Sequence, residues 1–185
     1  MFRSIKGHTI FKFSGFSRFC CNVTNITNIN VAKDLRNMLG SDQLVISDNN
    51  EMLPYTTDWL GAYCGGSLVV FPTNTQDVSN ILSYCNLNSL SIVPQGGNTG
   101  LVGGGIGRNA SNDIILSMKK MNKIIEIDSN TSAIVCESGC ILEELEKYAN
   151  IHGNFSVPLD LGSKGSCMIG GNVATNAGKK RDVYI

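Results

Sequence analysis

The chain has 185 residues, 42% of them hydrophobic, and carries 15 Lys plus Arg against 15 Asp plus Glu. That length favours one domain with at most a short appendage, and the balanced charge gives no field of one sign to draw in nucleic acid or another polyanion. Its apolar runs, such as LVVF at 68–71, are far too short for a bilayer-spanning helix, and seven cysteines at scattered spacing leave one over in any complete pairing. A reducing compartment is the simpler reading.

Before the first acid, Asp34, stand Arg3, Lys6, Lys12, Arg18 and Lys33, set among Phe2, Phe11, Phe13, Phe16, Phe19 and several serines. A basic, acid-free, serine-bearing leader predicts a mitochondrial transit peptide over 1–30, its last ten residues, CNVTNITNIN, serving as a linker. The alternative is an untargeted tail; a secretory signal fits less well, because Lys6, His8 and Lys12 interrupt any apolar core. Asn-x-Thr or Asn-x-Ser patterns at Asn22, Asn25, Asn109 and Asn130 carry no information in an organellar chain.

Folding is predicted to begin near Val31, where VAKDLRNML reads as a short helix, with another turn at SDQLVIS. PYTTDWLGAYCGG at 54–66 reads as an irregular segment over the domain, with Trp59 in the core. SLVVFP at 67–72 predicts a buried strand, Thr75 a helix cap, and Val78, Ile81, Leu82 and Cys85 one apolar helix face. LSIVP at 90–94 returns as a strand, completing a βαβ unit. NDIILSM predicts a further strand, and MNKIIEID with TSAIVCESG an antiparallel pair turned at 128–130. ILEELEKYAN at 141–150 predicts a helix that buries Leu142, Leu145 and Ala149, with Gly153 just beyond it. The order runs from a small parallel unit into a mixed sheet, an α+β arrangement.

Two glycine-rich stretches remain, PQGGNTGLVGGG at 94–105 and PLDLGSKGSCMIGGNVATNAG at 158–178. Bare backbone with free amides suits close approach to a phosphate-bearing cofactor, so the two are expected to form the walls of one site. The first lacks the lysine of a Walker loop, and GIGRNA at 105–110 matches the dinucleotide letters without a strand before it and a helix after it. Consecutive amides at Gly96, Gly97, Asn98, Thr99 and Gly100, with the Asn98 and Thr99 side chains as added donors, could instead meet a pyrophosphate. Asp160 reads equally as a turn residue or a site residue, and Lys164 as solvent-exposed.

No proton-transfer set accompanies the loops. His8 lies in the leader and His152 at a helix end, so no His-rich metal site forms. Cys136 and Cys140 read as small core residues, and Glu143, Glu144 and Glu146 as a solvated helix face.

Together with YTTDWLG at 55–61, these two motifs resemble the mitochondrial D-2-hydroxyglutarate dehydrogenases, within the FAD-linked oxidase family of the vanillyl-alcohol oxidase type; the resemblance covers about residues 50–178. It implies an FAD-binding domain of that type over 64–185, with a small parallel βαβ subdomain and a mixed-sheet subdomain, preceded by an N-terminal extension at 31–63. It implies FAD held noncovalently: Gln95, Gly96, Gly97, Asn98, Thr99 and Gly100 around the pyrophosphate, and Pro158, Gly165, Ser166, Gly170, Gly171 and Asn176 along the cofactor. It further implies oxidation of a D-2-hydroxy acid to the 2-oxo acid, with electrons passed to an electron-transfer flavoprotein; related D-lactate or glycolate dehydrogenases are the alternative. Where the family pattern would continue, this chain reads NAGKKRDVYI. The domain is thus expected to be incomplete at its C-terminus, with divalent-metal ligands, substrate arginines and catalytic base in the missing part. The chain by itself is expected to bind FAD weakly or not at all and to lack turnover. A nonenzymatic product that joins a full-length partner is a third expectation.

Overall fold

The computed structural model describes residues 26–108 and 113–180, the first four and last two of them as backbone. Of the leader predicted over 1–30, residues 1–25 lie outside the described residues, and 26–30 belong to a helix.

That helix, α1 (Ile26–Leu39), begins five residues before the expected start. Its asparagines have weak helix propensity, and burial of Ala32 and Leu35 at 2% and 0% exposure shows that tertiary packing holds it. A 3-10 turn at Asp42–Leu44 follows, then β1 (Val45–Ile46). The sequence reading missed the next element, α2 (Asn49–Thr56). Asp48 caps it by accepting from the N–H groups of Asn50 at 2.9 Å and Glu51 at 3.2 Å.

The strands β2 (Leu68–Val70), β3 (Ser91–Gln95) and β4 (Asp113–Ser117) are parallel, with helix α3 (Thr75–Leu87) between the first two. The sheet order is β1-β2-β4-β3, so the predicted βαβ unit forms with β4 inserted between its strands. β1 pairs antiparallel with β2. Both faces are covered, which is why the central strands read as unbroken apolar runs. On one side Leu68, Val70, Ile114 and Leu116 pack with Leu35, Ile81 and Cys85; on the other, Val69, Phe71 and Ile115 pack with Met52 and Tyr55. The Tyr55 and Phe71 rings meet edge to face at 5.2 Å.

Three details differ from the sequence reading. Asn74, not Thr75, caps α3, accepting from the Asp77 N–H at 2.9 Å. Leu82 is 47% exposed, on the shoulder of the helix and not on its buried stripe. Trp59 is 75% exposed, because the turn carrying it folds around the buried Asp58 carboxylate, which accepts from Tyr63 N–H at 2.7 Å.

The second half holds an antiparallel pair, β5 (Ile124–Asp128) and β6 (Ala133–Cys136), whose turn is closed by Asp128 accepting from Asn130 N–H at 2.9 Å and Thr131 Oγ1 at 2.7 Å. Helix α4 (Leu142–Gly153) buries Leu142, Leu145 and Ala149 as expected, and Gly153 is its last residue. Asn154 takes the left-handed capping position at φ 55°. β7 (Leu159–Asp160) pairs antiparallel with β8 (Lys179–Lys180), and α5 (Ile169–Ala174) lies between them in sequence.

Candidate cofactor site

The loop that follows β3 runs to Arg108, and two side-chain amides, those of Gln95 at the strand's end and of Asn98, tie it down. Gln95, 2% exposed, donates through Nε2 to Tyr55 O at 2.7 Å and Gly105 O at 2.8 Å. Asn98 sits at φ 52° and donates through Nδ2 to Thr57 O at 2.8 Å and Pro54 O at 3.3 Å. The Asn98 amide hydrogens are thus engaged within the protein, which corrects the expectation that this side chain adds donors to a pyrophosphate. Its backbone N–H is a different matter. Among the described residues, the N–H groups of 96–102 donate to no protein acceptor.

The two glycine-rich stretches do meet. A Cβ built on Gly97 would overlap the Ser166 carbonyl and lie 3.1 Å from Cys167 Cα, and one on Gly96 would come 3.8 Å from Gly171 Cα. Only bare backbone at Gly97 permits that approach, whereas the distances at Gly96 are ordinary contacts. The far wall is itself held: Ser166 and Cys167 donate their N–H groups to Ser163 O at 2.9 and 2.8 Å, and Leu142 donates to Cys167 O at 3.1 Å. Gly170 donates to Ser138 O at 2.9 Å, and a Cβ there would meet Ser138 Cβ at 2.7 Å. Gly170 therefore seats the wall against the turn that precedes α4.

Other glycines face open space. A Cβ on Gly100, Gly104 or Gly171 would find no heavy atom within 4 Å. Packing does not demand glycine there, whereas a ligand lying along the backbone would. Donors without acceptors, flanked by space a Cβ would fill, are what the pyrophosphate of FAD requires, so the residues present fit that group. The loop from 95 to 105 carries no lysine or arginine, so the anion would be met by oriented amides.

Not every expected site residue joins this cradle. Gly165 lies near α4, its virtual Cβ 3.7 Å from Glu143 Oε2. Asn176, at φ 50°, closes the end of α5 by donating its N–H to Val173 O at 3.2 Å. Pro158 is exposed just before β7, and no described hydrogen bond joins it or Asn176 to residues 95–100. Lys164 is partly exposed and pairs with Glu146 at 3.9 Å. His152 stacks on Tyr148 with ring centroids 3.9 Å apart and donates from Nδ1 to Tyr148 O at 2.9 Å, a helix-end role.

Among the described residues, burial holds several thiols in the protonated form. Burial pushes the Cys85 thiol up to about 11. Burial, with the neighbouring Cys136, does the same to Cys140, also to about 11. Among the described residues, no three His, Cys, Asp or Glu side chains gather to hold a metal ion. No helix among them is long and apolar enough to cross a membrane.

Sequence reasoning missed the carbonyl groups of α2 and its following turn that receive Gln95 and Asn98, together with Tyr63, whose ring lies against Gly103. The signal was present: Asp48 followed three residues later by Glu51 is a helix-start pattern, obscured by Pro54 inside the helix.

Comparison with known proteins agrees with this geometry. Residues 66–184 match the family described as FAD binding domain. The probable mitochondrial D-2-hydroxyglutarate dehydrogenase of Oryza sativa subsp. indica is 45% identical over 158 residues, 85% of this chain and 28% of the relative. The mitochondrial D-2-hydroxyglutarate dehydrogenase of Arabidopsis thaliana is 49% identical over 138 residues, 74% of this chain and 24% of the relative. The chain therefore spans under a third of the length of these relatives. Among solved structures, alkyldihydroxyacetonephosphate synthase superposes with a TM-score of 0.70 at 19% identity, covering 84% of this chain and 33% of that one, a likeness of fold.

Proposed function

The chain belongs to the FAD-binding-domain family, with the fold of the vanillyl-alcohol oxidase type, and from that membership we propose that it is the cofactor-holding N-terminal part of a mitochondrial FAD-dependent D-2-hydroxyglutarate dehydrogenase. The observation that carries the reading is the meeting of the two glycine-rich stretches around unpaired backbone donors, in a chain 45–49% identical to enzymes of that name.

FAD, when bound, supplies the two-electron chemistry that converts a D-2-hydroxy acid to its 2-oxo acid. The chain's own residues do the holding. The N–H groups of Gly96, Gly97, Asn98, Thr99 and Gly100 offer donors to a diphosphate without a counter-cation in the loop. Gly171 and Gly100 leave room for the ligand, Ser166 and Gly170 build the wall opposite, and Gly165 is proposed to lie further along the cofactor. Pro158 and Asn176 are proposed to bound the site further along the cofactor. No residue here is assigned to proton abstraction, substrate carboxylate or divalent metal; the reading puts those groups, and delivery of electrons to an electron-transfer flavoprotein, in sequence beyond residue 185.

The test has two arms. The 185-residue chain titrated with FAD should bind weakly and show no turnover of D-2-hydroxyglutarate; robust turnover by this chain alone would overturn the division of labour. A transcript product extending beyond residue 185, assayed on D-2-hydroxyglutarate, D-lactate and glycolate, should prefer the first. A clear preference for D-lactate or glycolate would replace the substrate assignment with the related dehydrogenase.

A further inference from the structure

We infer that α2, which lies outside the matched residues 66–184, is a functional part of the cofactor site: the Gln95 and Asn98 side chains are positioning groups that fasten the loop to the C-terminal carbonyls of α2 and thereby aim the N–H groups of 96–102. The inference rests on the reading of those N–H groups as anion-facing.

The argument starts from an α-helix, whose last carbonyls have no partner within the helix. In α2 and the residue after it, Pro54 O, Tyr55 O and Thr57 O all point to the same two amides. Each amide nitrogen donates twice, so both hydrogens of Gln95 and both of Asn98 are used within the protein. Three of the four bonds cross from the loop to the helix end; the fourth, Gln95 to Gly105 O, closes the loop on itself. The helix end is fixed in its turn, since Met52 and Tyr55 pack with Phe71 and Ile115, and Gly65 donates to Thr56 O at 2.9 Å. The result is a loop with no regular structure, few backbone bonds of its own, and a fixed position. Such preorganisation lets amides face an anion without reordering on binding.

Nitrogen-15 relaxation of the 185-residue chain, recorded without FAD, tests the clamp directly. Asn98→Gly keeps the left-handed backbone and removes two donors; Gln95→Met keeps the volume and removes the other two. Order parameters of amides 96–102 are expected to fall from about 0.85 to below about 0.6 in each variant, with β2 and β4 unchanged. Gln95→Glu adds a pH readout that a packing role would not give. Its neutral acid can donate to one carbonyl, whereas its carboxylate would face two carbonyl oxygens. Its folded-state pKa is therefore raised, so the loop should be ordered at low pH and loosen as pH rises through that pKa, while the wild type shows no such change. If Gln95→Met fails to fold, Asn98→Gly and the Gln95→Glu pH series still decide the matter. FAD titration, followed by emission of the single Trp59, should show at least a tenfold loss of affinity in the loosened variants. Variant loops as ordered as wild type, or loosened loops that bind FAD with unchanged affinity, would overturn the inference. An ordered wild-type loop that loosens in the variants supports the clamp even where no form binds FAD, an outcome that counts instead against the proposed function.

Discussion

The contact between the two glycine-rich walls makes opposite predictions for two glycines three residues apart. Gly97→Ala places a methyl against the Ser166 carbonyl, with Ser166 C at 2.8 Å and Cys167 Cα at 3.1 Å. Those are backbone atoms, so no side chain can turn aside. The peptide they belong to is held by bonds from Ser166, Cys167 and Leu142. Relief therefore requires the walls to part, at an overpacking cost of about 1–3 kcal/mol plus about 1 kcal/mol for a broken hydrogen bond. A total of about 2–4 kcal/mol lowers Tm by roughly 4–16 °C in a domain of this size. Gly100→Ala meets no heavy atom within 4 Å, and Gly100 does not lie at positive φ. Its Tm should hold or rise slightly, since alanine restricts the unfolded chain, a gain of about 0.4–1 kcal/mol where the backbone allows it. Its FAD affinity should drop, because the methyl occupies ligand space; a clash of about 1–3 kcal/mol is roughly 5- to 150-fold in Kd. Scanning calorimetry and FAD titration of both variants provide the assay. A Gly97→Ala protein within about 1 °C of wild type would refute the contact between the walls, because a 2 kcal/mol clash shifts Tm by at least about 4 °C.

Three further outcomes follow from local geometry. Asp48→Ala removes the acceptor for Asn50 and Glu51 N–H and should lower stability by about 1 kcal/mol in thermal unfolding, with larger order-parameter losses in 49–57 than in α3. The Asp77 carboxyl is raised by burial, but hydrogen bonds from Thr73 Oγ1 at 2.7 Å and Thr73 N–H at 2.8 Å, with Asn74, bring it below the usual carboxylate value. A depressed folded-state pKa contributes stability above the unfolded value and loses it as pH falls through the folded one. Asp77→Asn should therefore be less stable than wild type near pH 7, with the difference shrinking toward pH 3; a difference constant with pH would disprove the linkage. Cys85 and Cys140, buried and pushed up to about 11, should resist iodoacetamide at pH 8 in the folded chain and react after denaturation, as peptide mass mapping would show.

What was legible in the sequence divides along the range of the interactions responsible. β2 and β4 announce themselves because strands buried on both faces must be apolar at every position, and LVV and IIL have no other comfortable place. The stripe of α4 and the Asp128 turn are equally local, and both were read correctly. The insertion of β4 between β2 and β3 is not local: all three strands have apolar stretches, and nothing in their composition ranks them. Trp59 misled because size and aromaticity argue for burial on average, whereas its turn is built around Asp58 and turns the indole outward. At the site, the glycine pattern revealed that backbone was needed bare but not which neighbour needed it. Gly97 serves contact between the walls, Gly170 serves the seating of one wall, and Gly100 serves neither. The same limit hid the role of Gln95 and Asn98. Polar residues in a phosphate-type loop read most simply as ligand donors, and only the fold shows their amides turned away toward a helix that precedes the matched domain. Such a loop meets two different demands, free N–H groups on one side and a fixed anchor on the other. Substitutions at Gln95 and Asn98 should therefore alter loop order before they alter any contact with the cofactor itself.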